Sequence, residues 1–304
     1  MMSKLVTIIM STYNETEVEL RESINSVLNQ TYTNFEYIIV NDNPKNANLA
    51  RVLNQLSDKR IKIIQNKNNK GLVWSLNRAL KRAVGDIIVR MDADDICINN
   101  RIERQLEYLN DNRLDLIGSY VELIDEKGCS IKKLMKLPQT HKEIAFYMKW
   151  GNCIVHPTWM GKREVFVKLD GYIKAIHCED YDFILRALRA GFKVGNVPEK
   201  LLKYRIRQES ISRENIVQQY ILRLYLSNNI KTILYENNLR EKDILNYVNS
   251  DKFREECDAY KRYRQCKKAL ISHNNIFEQL PNMITSKFLY LDIIEKLTLF
   301  MREH

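Results

Sequence analysis

The sequence offers no cysteine framework and no apolar run long enough to cross a membrane. Six cysteines are spread over 304 residues, and no two of them form a Cys-x-x-Cys pair. A structural zinc site or a disulfide network is therefore not expected, and reduced thiols indicate the cytoplasm. The first 15 residues hold an apolar run that is too short for a signal peptide. We expect a cytoplasmic protein whose contact with a membrane, if there is one, is peripheral.

Glycine and proline are almost absent from the last part of the chain. After residue 214 there is no glycine, and Pro281 is the only proline. Helical periodicity dominates there, among many tyrosines, leucines and basic residues. The length allows one large domain and a smaller one, at about 100–200 residues per domain. We predict a first domain over residues 1–214 and a helical C-terminal region over residues 215–304.

Positive charge is in excess: the formal net charge is +10 and the pI is about 9.2. A basic protein favours anionic partners such as nucleic acid, an anionic membrane face or phosphorylated small molecules, and charge alone does not choose among them. No recognised nucleic-acid-binding motif is found, so nucleic acid is not an expected partner. A basic surface without any partner is the alternative.

Residues 1–100 alternate between short β-branched runs and helical patterns. Four apolar runs predict strands at residues 6–10, 37–40, 61–64 and 87–91, with helices between them. This alternation predicts an α/β fold with a mostly parallel sheet flanked by helices, in which ligands bind beyond the carboxyl ends of the strands. Polar or acidic groups follow three of these strands, namely Asn14, Asp42 and the cluster at 92–95. We therefore expect one site at this edge of the sheet.

Asp92, Asp94 and Asp95 place three carboxylates within four residues. In extended backbone Asp92 and Asp94 point to the same side, where their charges repel each other unless a cation is present. Hard divalent ions such as Mg²⁺ or Mn²⁺ bind one or two carboxylates together with a diphosphate. The alternative is an acidic turn that caps the next helix.

A second acidic group opens a predicted helix over residues 179–190, where Glu179, Asp180 and Asp182 lie close together. One of them is a candidate general base, because an acceptor hydroxyl needs a group that takes its proton. Simple helix N-terminal electrostatics is the alternative, and the spacing does not choose among the three. Short strands are also predicted at 194–197 and 201–206.

Taken in order, the motifs of residues 4–212 resemble glycosyltransferase family 2, the inverting group with the GT-A (Rossmann-like) fold. The matching segments are VTIIMSTYNE at the first strand, SVLNQTY (26–32), YIIVNDN (37–43), NKGLVWSLNRAL (69–80), RMDADD (90–95), HPTWMGKREVF (156–166), GYIKAIHCEDYDFILR (171–186) and YRIRQESIS (204–212).

The resemblance implies a role for each matching residue. Asp94 and Asp92 would bind the metal, Asp94 more directly, and Asp180 would be the catalytic base. On the acceptor side it implies His156, Trp159 and Glu179, although histidine and tryptophan are as often structural. The donor-binding residues that it implies are Thr12, Tyr13, Glu15, Asp42, Asn69, Gly71, Arg90, Asp92, Ala93 and Arg207.

Two positions depart from the family pattern. Asn41 stands where many relatives have a first aspartate, while Asp42 is retained. Arg207 stands in the place of a histidine, and we expect its guanidinium to contact phosphate directly.

The resemblance implies metal-dependent transfer of a sugar, with inversion, from a nucleotide sugar, a UDP-sugar by default, to a hydroxyl. The expected acceptor is a glycan or a lipid-linked sugar of bacterial capsule, O-antigen or other surface polysaccharide. The alternatives are an aspartate-dependent phosphotransferase and a non-catalytic nucleotide-binding protein. Two features of the C-terminal region are compatible with peripheral contact with an inner membrane. One is a group of five basic residues within 261–268, and the other is a possible apolar stripe of Leu289, Ile293, Ile294, Leu297 and Phe300. A homo-oligomer is also compatible with the sequence.

Overall fold

The computed structural model of the protein describes residues 4–132, 137–207, 215–229, 237–271 and 286–303. The chain forms two compact units, of which the first comprises Met1–Lys174 with Glu179–Ser210 and the second comprises Ala175–Cys178 with Ile211–His304. The sequence-predicted boundary at residue 214 and the end of the YRIRQESIS motif (208–212) lie outside the described residues. The division into domains therefore stays a prediction.

The described residues of the first unit form an eight-stranded sheet in the order β3-β2-β1-β4-β7-β6-β8-β5. Its strands are β1 (Val6–Thr12), β2 (Phe35–Asn41), β3 (Ile61–Gln65), β4 (Ile87–Asp92), β5 (Ile96–Cys97), β6 (Leu116–Ile124), β7 (Met160–Lys162) and β8 (Val194–Arg205). β1 pairs in parallel with β2 and β4, β2 with β3, and β6 with β8. β7 lies antiparallel between β4 and β6, and β5 lies antiparallel to β8. The predicted α/β fold with a mostly parallel sheet is confirmed.

Continuous β-branched runs form the central strands because both faces of the sheet are covered. All seven residues of β2 are buried, whereas the edge strand β3 exposes Lys62 and Ile63. The helices of this unit are α1 (Glu17–Leu28), α2 (Ala47–Asn54), α3 (Leu72–Leu80), α4 (Arg101–Asp111), α5 (His141–Tyr147), α6 (Arg163–Lys168) and α7 (Glu179–Arg189).

The first helix shows how local sequence signals fix an element. Thr16 and Glu19 form a capping box, in which each side chain accepts a hydrogen bond from the backbone of the other residue. Leu20, Ile24 and Val27 then form its buried stripe. The cap places the start of α1 directly after the β1 loop.

The prediction of two separate short strands after α7 is wrong. The segments 194–197 and 201–206 form a single strand, β8. Its pairing with β6 shifts in register from Ser119–Val197 to Tyr120–Lys200, which leaves Pro198 and Glu199 opposite no residue of β6. Because these two residues bulge from the strand, the apolar pattern is interrupted although the strand continues.

The second unit contains α8 (Ile216–Asn228), α9 (Asn237–Val248), α10 (Asp251–Ile271) and α11 (Lys287–Glu303). Stacked tyrosine pairs join its helices, Tyr220 with Tyr260 and Tyr225 with Tyr247. Of the predicted stripe on α11, the side chains of Leu297 and Phe300 lie outside the described residues. Within the described ranges, no helix is both long enough and apolar enough to cross a membrane.

Candidate active site

The strand register brings the predicted site residues to one edge of the sheet. Thr12, the last residue of β1, is paired with Asn41 of β2, and Ser11 is paired with Asp92 of β4. The loops that follow these three strands therefore leave the sheet side by side at its carboxyl edge. This is the edge at which the sequence predicts a ligand site.

The loop after β1 is held by Glu15. Its carboxylate accepts a hydrogen bond of 2.5 Å from Thr12 Oγ1 and one of 2.8 Å from the backbone N–H of Tyr13. Burial raises the pKa of Glu15 in spite of these bonds. Tyr13 itself is 41% exposed, so its side chain is accessible at this edge of the sheet.

Asp42 organises the loop that precedes α3. Its Oδ1 accepts hydrogen bonds from Asn66 Nδ2 (2.6 Å) and Lys70 N (2.9 Å), and its Oδ2 accepts one from Gly71 N (2.8 Å). Asn69 Oδ1 also accepts from Gly71 N, which has a φ of +86°. The structure thus brings Asp42, Asn69 and Gly71 together, and it adds Asn66, which sequence reasoning missed although Asn66 directly follows β3.

Three carboxylates cluster where β4 ends. One oxygen from each of Asp92, Asp94 and Asp95 lies within 4.8 Å of the others, and buried Ala93 forms the turn between them. Burial raises the pKa of Asp94 to about 6, with a further contribution from the charge of Asp92. Burial likewise raises the pKa of Asp95 well above its usual value, with contributions from its two acidic neighbours.

Asp95 bears directly on whether this cluster fits a cation. Its Oδ1 accepts a hydrogen bond of 2.8 Å from Arg205 N. Its Oδ2 is buried and has no hydrogen-bond partner among the described residues. An unpaired buried carboxylate oxygen is costly unless a cation neutralises it. The three carboxylates therefore fit a hard divalent ion.

Arg90 is the buried positive charge of the site. Only 3% of the residue is exposed, and its guanidinium forms a two-pronged ion pair with both oxygens of Asp92. Burial raises the pKa of Glu179 and of Asp180, and the positive charge of Arg90 partly opposes this rise, so Arg90 lies within electrostatic reach of both carboxyl groups. Arg90 therefore connects the carboxylates after β4 with those at the start of α7.

The structure separates the three acidic residues at the start of α7. Asp182 is fully buried and pairs with Arg186 at 2.7 Å, so its role is structural. Asp180 and Glu179 are only partly buried. Asp180 Oδ2 accepts a hydrogen bond of 2.7 Å from Asn152 Nδ2, and burial raises the pKa of Asp180. Burial and the charge of Asp180 raise the pKa of Glu179 to about 7.

The expectation that Trp159 faces an acceptor is corrected by the structure. The residue is fully buried, and its Nε1 donates to Ile154 O. Its ring packs against Phe183, His156 and Tyr172. Because no face of the ring is exposed, Trp159 can only support the site from the core, and its backbone oxygen does so by accepting from Arg90 N at 2.9 Å.

His156 lies in the same aromatic group. Its Nε2 is 3.0 Å from the hydroxyl of Tyr172, and 8% of the residue is exposed. Burial, together with the charge of Arg90, lowers the pKa of His156 well below its usual value. His156 is therefore a neutral ring whose Nε2 contacts the hydroxyl of Tyr172. Its place on the acceptor side stays a prediction.

Arg207 lies directly at the acidic cluster. Its Nε is 3.0 Å from Asp94 Oδ2, and its Nη2 is 3.1 Å from Glu19 Oε2. Sequence reasoning placed Arg207 at the donor but missed Glu19, whose visible signal was only that of a capping box. The arrangement places three carboxylates close together with a guanidinium beside them.

Comparison with known proteins identifies the family to which the sequence is similar. Residues 7–170 match the family model described as Glycosyl transferase family 2. An uncharacterized glycosyltransferase of Methanocaldococcus jannaschii is 38% identical over 232 residues, which cover 74% of this chain and 80% of that protein. The O-antigen biosynthesis glycosyltransferase WbnJ of Escherichia coli is 36% identical over 212 residues, covering 67% and 82% of the two chains.

A third relative and a solved structure extend the comparison. The UDP-Glc:alpha-D-GlcNAc-diphosphoundecaprenol beta-1,3-glucosyltransferase WfgD of Escherichia coli is 30% identical over 256 residues, covering 80% of this chain and 92% of that protein. The structure of S. aureus TarS 1-349 in complex with UDP-GlcNAc superposes with a TM-score of 0.59 at 16% identity, covering 79% and 69% of the two chains. At this identity the superposition shows similarity of fold.

Proposed function

Because the chain belongs to glycosyl transferase family 2, we propose that it moves a sugar, with inversion, from a UDP-sugar to an acceptor hydroxyl. One observation carries the proposal. The buried guanidinium of Arg90 pairs with Asp92 of the three clustered carboxylates, and its charge also acts on the partly buried Asp180. A metal–diphosphate site and a general base next to each other are what direct displacement at a sugar carbon requires.

The donor would bind along the carboxyl edge of β1, β2 and β4. Tyr13, with its exposed ring, and the loop held by Asp42 would enclose the nucleoside, while Thr12 and Glu15 shape the pocket. The donor named for WfgD and the ligand of the TarS structure are both UDP-sugars, which supports UDP as the nucleotide.

The diphosphate would lie at the three aspartates. Asp94 and Asp92, with Asp95 behind them, would hold Mg²⁺ or Mn²⁺. When bound, this ion supplies Lewis-acid stabilisation of the leaving diphosphate. Arg207, beside Asp94, provides a guanidinium that can bind phosphate oxygens in a bidentate manner.

Asp180 would accept the proton of the acceptor hydroxyl as its oxygen attacks the anomeric carbon. The raised pKa of Asp180 makes the carboxylate a better proton acceptor, and Asn152 fixes its orientation. Attack opposite the leaving group passes through an oxocarbenium-like transition state and inverts the anomeric configuration. Glu179, with its pKa raised to about 7, would be about half protonated near neutral pH, and its protonated form could donate a hydrogen bond to the acceptor.

The acceptor would be a glycan or a lipid-linked sugar of a bacterial surface polysaccharide. The names of WbnJ and WfgD point to O-antigen synthesis and to a diphosphoundecaprenol-linked acceptor for those two proteins. Exposed Lys261, Arg264 and Lys268 on α10 would allow contact with an anionic inner membrane face. No observation favours the phosphotransferase alternative.

A donor-hydrolysis screen tests the proposal. The purified protein is incubated with a panel of nucleotide sugars and Mn²⁺ or Mg²⁺, and the released nucleotide diphosphate is measured. We expect metal-dependent release from one donor, lost in Asp94→Ala and kept in Asp251→Ala, whose carboxylate is 85% exposed on α10. Absence of both donor hydrolysis and donor binding by calorimetry would contradict the proposal.

A further inference from the structure

Arg207 occupies a position between two carboxylates on different elements. It lies two residues beyond the end of β8 and pairs with Asp94 after β4 and with Glu19 on α1. The guanidinium therefore faces the carboxylate that is the strongest candidate for direct metal contact. A cation bound at Asp94 would lie close to this positive charge.

Glu19 is a second ion-pair partner for Arg207, which would remain if the pair with Asp94 were broken. The Glu19 carboxylate is 12% exposed and fixed by hydrogen bonds from Thr16 N (2.9 Å) and Thr16 Oγ1 (2.8 Å). Arg205 adds a second guanidinium, whose Nε is 4.0 Å from Glu19 Oε1. Because Glu19 belongs to the cap of α1, its position does not depend on whether Asp94 is paired. Arg207 would keep its ion pair with Glu19 if its contact with Asp94 were broken.

Electrostatics then opposes binding of the metal alone. Arg90 is paired with Asp92 and Arg207 with Asp94, so two of the three carboxylates have a cationic partner within the protein. A divalent ion that binds Asp94 would either displace the guanidinium of Arg207 or be repelled by its positive charge. A nucleotide diphosphate changes this balance, because its oxygens provide partners for both the ion and the guanidinium.

We infer that Arg207 holds Asp94 until the donor arrives, so that the divalent ion and the nucleotide diphosphate bind cooperatively. The inference deepens the proposed function and rests on it for the identity of the diphosphate. By linkage, the metal raises donor affinity by the same factor by which the donor raises metal affinity. A histidine in the place of Arg207, as in the family pattern, would not impose this order while it is neutral.

Calorimetric titration tests the inference without measuring activity. Mn²⁺ alone, UDP alone and UDP with Mn²⁺ are titrated into wild type, Arg207→Ala and Arg207→Gln. In the wild type we expect Mn²⁺ to raise UDP affinity by about 5- to 150-fold, the usual range of such coupling. Both variants should bind Mn²⁺ alone more tightly and show a smaller coupling factor. Arg104→Ala is the matched control, because Arg104 forms only exposed ion pairs with Glu107 and Glu199.

Each outcome decides the inference. Mn²⁺ affinity that is unchanged in both folded variants overturns it, and so does a wild type in which Mn²⁺ and UDP bind independently. Arg207→Gln keeps the test decisive if Arg207→Ala does not fold, because glutamine removes the charge and retains a polar side chain. Absence of any UDP binding contradicts the proposed function, whereas the titration with Mn²⁺ alone still shows whether Arg207 controls access to Asp94.

Discussion

Asn152 donates a hydrogen bond of 2.7 Å to Oδ2 of Asp180, and the donor lies 28 residues before the acceptor. The second oxygen of the same carboxylate accepts from the N–H of Tyr181 at 2.6 Å. Both bonds favour the ionised carboxylate and lower its pKa, whereas burial, the largest influence, raises it. Asn152, a residue outside α7, thus contributes to the proton affinity of the proposed base, although burial has the larger influence.

Asn152→Ala should raise the pKa of Asp180 further, because the mutation removes a hydrogen bond to the charged form. The base must be deprotonated to act, so the acidic limb of the pH profile of kcat/KM should move to higher pH. Asp180→Asn is the reference variant and should lose about 10²–10⁴-fold in kcat with donor affinity retained. A pH profile of Asn152→Ala identical to that of the wild type would show that the amide does not tune Asp180.

Asp182→Asn should destabilise the fold rather than impair the chemistry directly. Asp182 and Arg186 form a buried pair at 2.7 Å, and Arg186 also donates to Leu169 O and Gly171 O. Removing one charge leaves the other buried and unpaired, which costs about 3–5 kcal/mol. Urea unfolding measures this loss. Glu107→Gln, which breaks an exposed pair with Arg104, should change stability by only about 0–1 kcal/mol.

Gly71→Ala tests the loop that precedes α3. A Cβ at Gly71 would meet no atom within 4 Å, so any cost must come from its φ of +86°. With its ψ of 165°, Gly71 lies in a region of backbone conformation that is nearly restricted to glycine, so we expect a loss of about 1–3 kcal/mol in thermal or chemical unfolding, together with weaker donor binding. Gly151→Ala is the matched control for stability, because a Cβ there also meets nothing within 4 Å and its φ is not in the left-handed region. Equal stability of the two variants would contradict the explanation from backbone strain.

Vesicle flotation tests the proposed membrane contact. The protein should float with vesicles that contain anionic lipid and not with neutral vesicles, because each basic residue near the surface contributes about 1 kcal/mol. Substitution of three exposed basic residues on α10 by glutamate, which reverses their charge, should abolish flotation. The same substitution of three exposed basic residues in the first unit should not. The two triples are Lys261, Arg264 and Lys268, and Lys59, Lys81 and Arg82. Flotation that is independent of lipid charge, or absent, would refute the contact.

The parallel half of the sheet and the positions of its strand ends could be predicted from sequence, because β1, β2 and β4 are continuous apolar runs followed by polar residues. The three-residue β7 and the two-residue β5 were missed, since so few residues carry no periodicity. Their pairing depends on long-range contacts of the sheet.

Site residues that are close in sequence could be grouped from the sequence, whereas roles that depend on the burial of a side chain could not be predicted. The carboxylates of Asp92, Asp94 and Asp95 could be grouped by spacing alone. The structural role of Asp182 depends on its buried pair with Arg186, one helical turn away, and the burial of Trp159 depends on rings from other segments. Neither burial is visible in spacing, because each is produced by tertiary packing.

The three hydrogen bonds that Asp42 accepts from Asn66, Lys70 and Gly71 have an entropic consequence. They order the 66–71 segment while the protein folds, before any nucleotide is present. A ligand that binds against this segment then loses little chain freedom on binding, so more of its contact energy contributes to affinity. A single carboxylate at the end of β2 therefore makes this wall of the proposed donor pocket rigid in advance.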